Sequence, residues 1–317
     1  MNLNLPILHK LSTCKSILIA GAGGGFDVFS GLPIYFELER RGLDVHLANL
    51  SFSDIAGLND GEQLTDTLVG VSADLEIFTD YFPEYYLSQW FLEERNEYIT
   101  IWCFEKTGAR PLIKNYRALV EHLGIDAILL VDGGIDSLMF GDEPEPGTML
   151  EDSLSVLAVD EMRTLKFRGL ACLGLGIEHE VGYAHLFENI AQLTKDNGFR
   201  GVSSLSKAMP CYESYERAVM YAFEQQPSYP SVICSSVISA VRGEYGDYHL
   251  VKRTEESILN ISPLMPIYWF FDLKAVARRN VLLPQLRLTF TIDEAWRVMQ
   301  KVRGDLVLRK TPPFPLP

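Results

Sequence analysis

Short apolar runs recur along this chain, separated by stretches with helical spacing, and the alternation predicts a sheet wrapped by helices. The first run, Ile17-Leu18-Ile19-Ala20, leads into glycines at Gly21, Gly23, Gly24 and Gly25, and a helix-like pattern over 29–41 follows at once. Pro33 stands early in that pattern, where its missing N–H does no harm, and Gly42 stops it. A second run over 44–50 completes a βαβ unit, whose right-handed crossover requires a parallel pair of strands. The rhythm breaks over 51–98, which reads as an insertion carrying one aromatic helix with Tyr85, Tyr86, Trp90 and Phe91. These rings are expected to pack on the main body rather than form a lid or a dimer surface.

The rhythm then resumes, with strands predicted over 99–104, 127–131, 169–175, 232–234 and 267–271 and helices over 112–123, 151–166, 183–195 and 291–303. Thr291 and Glu294 supply the cap and acidic first turn of the last helix, and Pro312 to Pro315 form an extended tail. Near-continuous apolar strands belong to a sheet covered on both faces. The expected fold class is therefore α/β, a doubly wound, mainly parallel, Rossmann-like sheet with helices on both faces, in one domain over 1–317 with 51–98 inserted.

Composition narrows the function classes. At 47% hydrophobic and 22% charged residues the chain is ordinary globular material, with ample apolar content for a core. A formal net charge of −14 excludes sequence-independent nucleic-acid binding, which needs clustered Lys and Arg. Cys14, Cys103, Cys172, Cys211 and Cys234 are scattered singly with no Cys-x-x-Cys pair, and three of them fall in predicted strands, where cysteine behaves as a small hydrophobe. A reducing, cytoplasmic location is expected. No charged-then-apolar leader opens the chain and no run reaches membrane-spanning length, so a soluble protein without a membrane partner is expected; a homo-oligomer remains compatible with the sequence.

In open parallel sheets ligands bind beyond the carboxyl ends of the strands, so the residues after each strand carry the candidate chemistry. The first strand offers Gly21, Gly23, Gly24, Gly25, Phe26 and Asp27. Glycines let the backbone approach a ligand, and the free N–H groups of a following helix attract phosphate or carboxylate. After 99–104 come Thr107, Gly108 and Arg110, the arginine standing where it could clamp an anion or form a surface ion pair. The loop after 127–131 is richest, with Asp132, Gly133, Gly134, Asp136, Ser137, Asp142 and Glu143 and no cation in the loop itself. Its four acids suit Mg²⁺ or Mn²⁺, because hard cations take several carboxylate oxygens. Crowding also raises carboxyl pKa values, which fits Asp132 and Asp136 to general acid and base work. The structural alternative is a solvated turn, with Glu145 and Asp152 as turn and helix-cap residues. A fourth strand end carries Glu178, His179 and Glu180, candidates for a general base or metal ligand of which at most two converge if the strand continues.

Three of these motifs, Gly21 to Val28, Thr107 to Leu112 and Asp132 to Glu143, resemble the domain of unknown function family 1152, uncharacterised Rossmann-like proteins, over most of the chain. That resemblance implies an α/β fold and assigns no activity or residue role. Against a dinucleotide fingerprint, Phe26 stands where the third glycine would be, and the second strand ends without a clear ribose-binding acid. Gly21-Ala22-Gly23 with Gly31-Leu32-Pro33 is similar to the opening of sirtuin-like deacylases, with two residues added between, and the segment from Gly174 to Gly182 is similar to a glycine-flanked region of D-glutamate cyclases. The function expected is an enzyme, a hydrolase, transferase or lyase, acting on a small anionic metabolite or nucleotide. The alternatives are a non-catalytic nucleotide-binding sensor or scaffold and an NAD(P)-dependent oxidoreductase.

Overall fold

Nine strands make one continuous sheet in the computed structural model, which describes residues 6–58, 60–77, 79–177 and 181–313. The strands are β1 (Ser16–Gly21), β2 (Asp44–Leu50), β3 (Glu62–Thr65), β4 (Leu68–Val71), β5 (Ile101–Phe104), β6 (Ala127–Asp132), β7 (Phe167–Cys172), β8 (Phe199–Ser204) and β9 (Ile267–Asp272). Their order across the sheet is β3-β4-β5-β2-β1-β6-β7-β9-β8. The five central strands, β5-β2-β1-β6-β7, are parallel, while β4 runs antiparallel to β5 and β3, and β9 antiparallel to β7 and β8.

Both faces of the sheet are covered, which is why β1 and β6 read as unbroken apolar runs. Ile17, Ile19, Leu129 and Val131 face one core, with Phe29, Leu32, Trp90 and Val219. Leu18, Ala20, Ile128 and Leu130 face the other, with Tyr116, Leu154, Leu186 and Val276. Successive side chains of a strand point to opposite faces, so each strand feeds both layers.

Several expectations change. The run at 232–234 opens the helix Val232–Arg242, capped by Ser231, whose side chain accepts from the backbone N–H of Cys234 at 3.1 Å. A short apolar run cannot by its period be told from a buried helical turn. The helix expected over 29–41 breaks at Gly31 into Asp27–Ser30 and Leu32–Arg40. The helix Pro210–Gln225 and the half-exposed edge strand β8 had no clear signal. The span 51–98 does carry its aromatic helix, Pro83–Arg95, with Tyr85, Trp90 and Phe91 buried, but it also adds the β3-β4 hairpin to the sheet. Part of the expected Pro312 to Pro315 tail lies outside the described residues. Among the described residues no helix is long and apolar enough to cross a membrane.

Candidate functional site

The order of the parallel strands places a crevice at one spot. From β1 the chain crosses to β2 on one side, and after β5 the helix Ala109–Leu123 carries it back over to β6 on the other side of β1. The loops leaving β1 and β6 therefore diverge, and the gap beyond their carboxyl ends is where open α/β sheets bind ligands.

Aspartates from separate elements converge there. Asp27 follows β1, Asp132 ends β6, and Asp152 stands in the first turn of the helix Leu150–Asp160. One oxygen from each lies within 4.8 Å of the others, and all three side chains are buried. Asp136, in the turn after β6, sits beside them, its Oδ2 accepting from the backbone N–H and hydroxyl of Thr148, both at 2.9 Å. The glycine loop is folded around Asp27. Its Oδ2 accepts from the N–H groups of Gly23 (2.6 Å) and Gly24 (3.1 Å), and its Oδ1 from that of Gly133 (3.1 Å). The cradle expected to hold a ligand's phosphate is thus filled by the chain's own carboxylate. Gly24 and Gly25 take positive φ, 105° and 62°, to make this turn.

Burial dominates the electrostatics. It pushes the Asp27 carboxyl up to about 7, helped by the charge of Asp136 and opposed by the three loop N–H groups. Asp132 is pushed well above the usual carboxylate range, first by burial and then by Asp136 and Asp27, although its Oδ2 accepts from both the hydroxyl and the N–H of Ser137. Carboxyls this close cannot all ionise unless a cation joins them.

Above this floor opens a cleft of about 770 Å³. Phe52, Tyr81 and Tyr229 line it, together with two cations, Lys106 and Arg253. Lys106 Nζ lies 2.8 Å from Glu151 Oε1 and 4.6 Å from the centre of the Phe52 ring, and Arg253 donates to the Pro230 carbonyl at 3.0 Å.

The structure brings some expected residues together and separates others. Gly23, Gly24, Gly25, Phe26, Asp27, Asp132, Gly133 and Asp136 line the cleft, with Ser137 just behind holding Asp132. Gly21 and Gly134 do not line it; a Cβ on Gly21 would lie 1.9 Å from Asn49 Oδ1, so that glycine serves packing. Thr107, Gly108 and Arg110, expected as an anion clamp, do not line the cleft: Thr107 pairs with Thr291, Gly108 N–H donates to the Phe290 carbonyl at 3.0 Å, and the Arg110 guanidinium lies 5.0 Å over the Phe290 ring. Their neighbour Lys106 lines the cleft instead.

Asp142 and Glu143, expected as metal ligands, stand apart from the three aspartates. Arg309, from the distant C-terminal segment, pairs with both, at 2.8 Å and 2.5 Å, and Glu143 also accepts from the N–H groups of Phe140 and Gly141 and from Asn189. The cation missing from that loop is supplied by tertiary structure. Glu178, His179 and Glu180 lie outside the described residues.

Asp152, expected as a helix cap, is a floor residue because its helix is wedged between the sheet and other helices, with residues 152–159 all buried. A carboxylate at such a position is itself a signal, but only once the helix is known to be buried all round. Tyr81, Tyr229 and Arg253 arrive from loops with no motif of their own.

Fold and site together define a doubly wound α/β protein with a carboxylate-floored cleft at its topological switch point. The chain belongs to the family described as protein of unknown function (DUF1152), whose profile matches residues 88–305. The matched span includes the Thr107 and Asp132 motifs and leaves the glycine loop outside it. Neither the curated proteins nor the solved structures contain a significant match to the chain.

Proposed function

We propose that this protein is a metal-assisted enzyme, a hydrolase, transferase or lyase of a small anionic metabolite, with Mg²⁺ or Mn²⁺ held by Asp27, Asp132 and Asp152. The observation that carries this reading is the convergence of three buried aspartates from three elements on the floor of the switch-point cleft. Their oxygens suit a hard cation: at the usual Mg²⁺ bond lengths adjacent ligands stand about 3 Å and opposite ligands about 4.2 Å apart, so three oxygens within 4.8 Å of one another close around the ion to bind it. Such an ion supplies Lewis acidity and an acidic bound water. Asp136, held by Thr148 beside the three, is the group positioned to take a proton, and Lys106 and Arg253 offset substrate charge.

An NAD(P)-dependent oxidoreductase is less well supported, because the loop N–H groups that would meet a pyrophosphate are given to Asp27. Unpaired thiols at Cys14, Cys103, Cys172, Cys211 and Cys234 suit a reducing, cytoplasmic setting. The test is a screen of phosphate esters, sugar acids and nucleotides for turnover with Mg²⁺ or Mn²⁺ and with EDTA. Turnover that survives EDTA, or the absence of any melting-temperature rise with either metal, would refute the assignment.

A further inference from the structure

The cleft has a polarity the metal alone does not explain: its aspartates are buried, whereas Arg253, Lys106 in its pair with Glu151, and the half-exposed rings lie toward solvent. We propose that its ligand is a nucleoside phosphate bound as the divalent-metal complex, with phosphates between the metal on the floor and Lys106 and Arg253, and the base on the rings of Phe52 and Tyr229. This rests on the metal reading above.

An observation independent of the acids points to a ligand on the floor. Ser30 Oγ is buried, belongs to a residue that lines the cleft, and has no partner at ordinary hydrogen-bonding distance; its neighbour is the Cys234 thiol, a weak donor. A Cβ on Gly133 would lie 2.9 Å from that hydroxyl and 2.7 Å from Asp27 Oδ1, so both polar atoms face the same small space, which glycine alone leaves open. A buried hydroxyl that faces a cleft and has only a weak thiol neighbour can give or accept a hydrogen bond with a bound group.

Charge order sets the next constraint. A bare phosphate would be repelled by Asp27, Asp132, Asp136 and Asp152, so the ligand's anionic end reaches the floor only through a cation that both sides coordinate. Lys106 and Arg253, from two separate segments, then meet the outer phosphate oxygens.

The rings select among phosphate esters. Phe52 is 48% and Tyr229 42% exposed, whereas most large aromatics of this chain are buried. Phe52 packs over Gly24 and Gly25 beneath Lys106, and Tyr229 is braced by Tyr81 with ring centres 5.6 Å apart in a T-shaped pair. Braced, wet aromatic faces are platforms for a planar base. A cavity of about 770 Å³ accommodates a mononucleotide with its metal and waters, and a sugar phosphate would leave the rings uncovered.

Calorimetry on the full chain tests this with Mn²⁺ alone, then with ADP, GDP, CDP, UDP, ribose 5-phosphate and adenosine, each in saturating Mn²⁺ and in EDTA. At least one nucleoside diphosphate is expected to bind in Mn²⁺ about tenfold or more tighter than ribose 5-phosphate and adenosine, and to lose at least tenfold in EDTA. Phe52→Ala and Tyr229→Ala should each weaken that nucleotide about tenfold with Mn²⁺ affinity unchanged, which also certifies their folding. Normal Mn²⁺ binding with no nucleotide preferred over ribose 5-phosphate overturns this inference and leaves the metal site standing. Nucleotide binding equally tight in EDTA overturns the metal complex, and no Mn²⁺ binding at all removes the metal reading and the inference with it.

Discussion

Glu84→Gln should make the protein more stable in alkaline solution, by an amount set by one buried carboxyl. Glu84 lies in the first turn of the aromatic helix Pro83–Arg95, fully buried, and its Oε1 accepts from Asn49 Nδ2 at 2.7 Å. The same Asn49 amide donates to the Gly25 carbonyl at 2.7 Å, so Glu84 is tied to the glycine loop that holds Asp27. Burial, only partly opposed by the Asn49 hydrogen bond, pushes its pKa from 4.5 up to about 7. Between those values the folded chain binds a proton that the unfolded chain has released, so stability falls as pH rises through that window. At about 1.4 kcal/mol per pH unit the loss from this group reaches about 3 kcal/mol above pH 7. Glutamine keeps the acceptor for Asn49 and cannot ionise. Urea unfolding of wild type and Glu84→Gln in EDTA, at intervals from pH 4.5 to 8.5, isolates the effect, because other titrating groups cancel in the difference. The advantage of the variant should grow by about 3 kcal/mol from the acid to the alkaline end. A difference that is flat across this range, or that shrinks as pH rises, would refute the reasoning.

At the metal site, Asp132→Asn should weaken Mn²⁺ binding at least about a hundredfold and yet raise the melting temperature of the metal-free protein at neutral pH, since it removes the cost of holding a buried, crowded carboxyl protonated; calorimetry and thermal melts read the two halves, and an unchanged Mn²⁺ affinity contradicts the ligand assignment. Asp142→Asn should leave Mn²⁺ affinity within about twofold, because that side chain is engaged by Arg309. Gly133→Ala should abolish Mn²⁺ binding while the chain still folds, as its Cβ would lie 2.7 Å from Asp27 Oδ1 and displace it; wild-type affinity would show that the loop relaxes freely. Arg309→Ala should destabilise by roughly 3 kcal/mol by stranding the buried Glu143, and Glu143→Gln in the same chain should restore part of that loss; denaturant unfolding that shows no rescue would mean the pair is not what holds the loop.

Much of the site could be located in advance because a rule of topology, rather than a motif, points to it. Asp27, Asp132 and Asp136 all sit at or just past the ends of recognisable strands, and local pattern suffices to find such positions. Asp152 reads in sequence as a helix-start residue, and the structure adds that it meets Asp27 and Asp132 in the cleft. Its face is set by what packs around the helix, which the periodicity of that stretch does not report. Lys106 is one residue from the motif in which Arg110 drew attention; which of the two turns inward depends on the Thr289 to Thr291 segment that captures Thr107, Gly108 and Arg110, nearly two hundred residues away.

By itself, then, the sequence determined the α/β class, the parallel core β5-β2-β1-β6-β7 and the glycine loop, because apolar period, glycine and capping residues act over a few neighbours. Tertiary structure decided which acids are neutralised and which remain crowded. Arg309 reaches Asp142 and Glu143 from the far end of the chain, while Asp27, Asp132 and Asp152 meet on the floor of the cleft. It also decided that the loop's N–H groups hold Asp27, and that Phe52, Tyr81 and Tyr229 share one cleft. Charge pairing and burial act through space, and only the folded chain brings residues so distant in sequence within range.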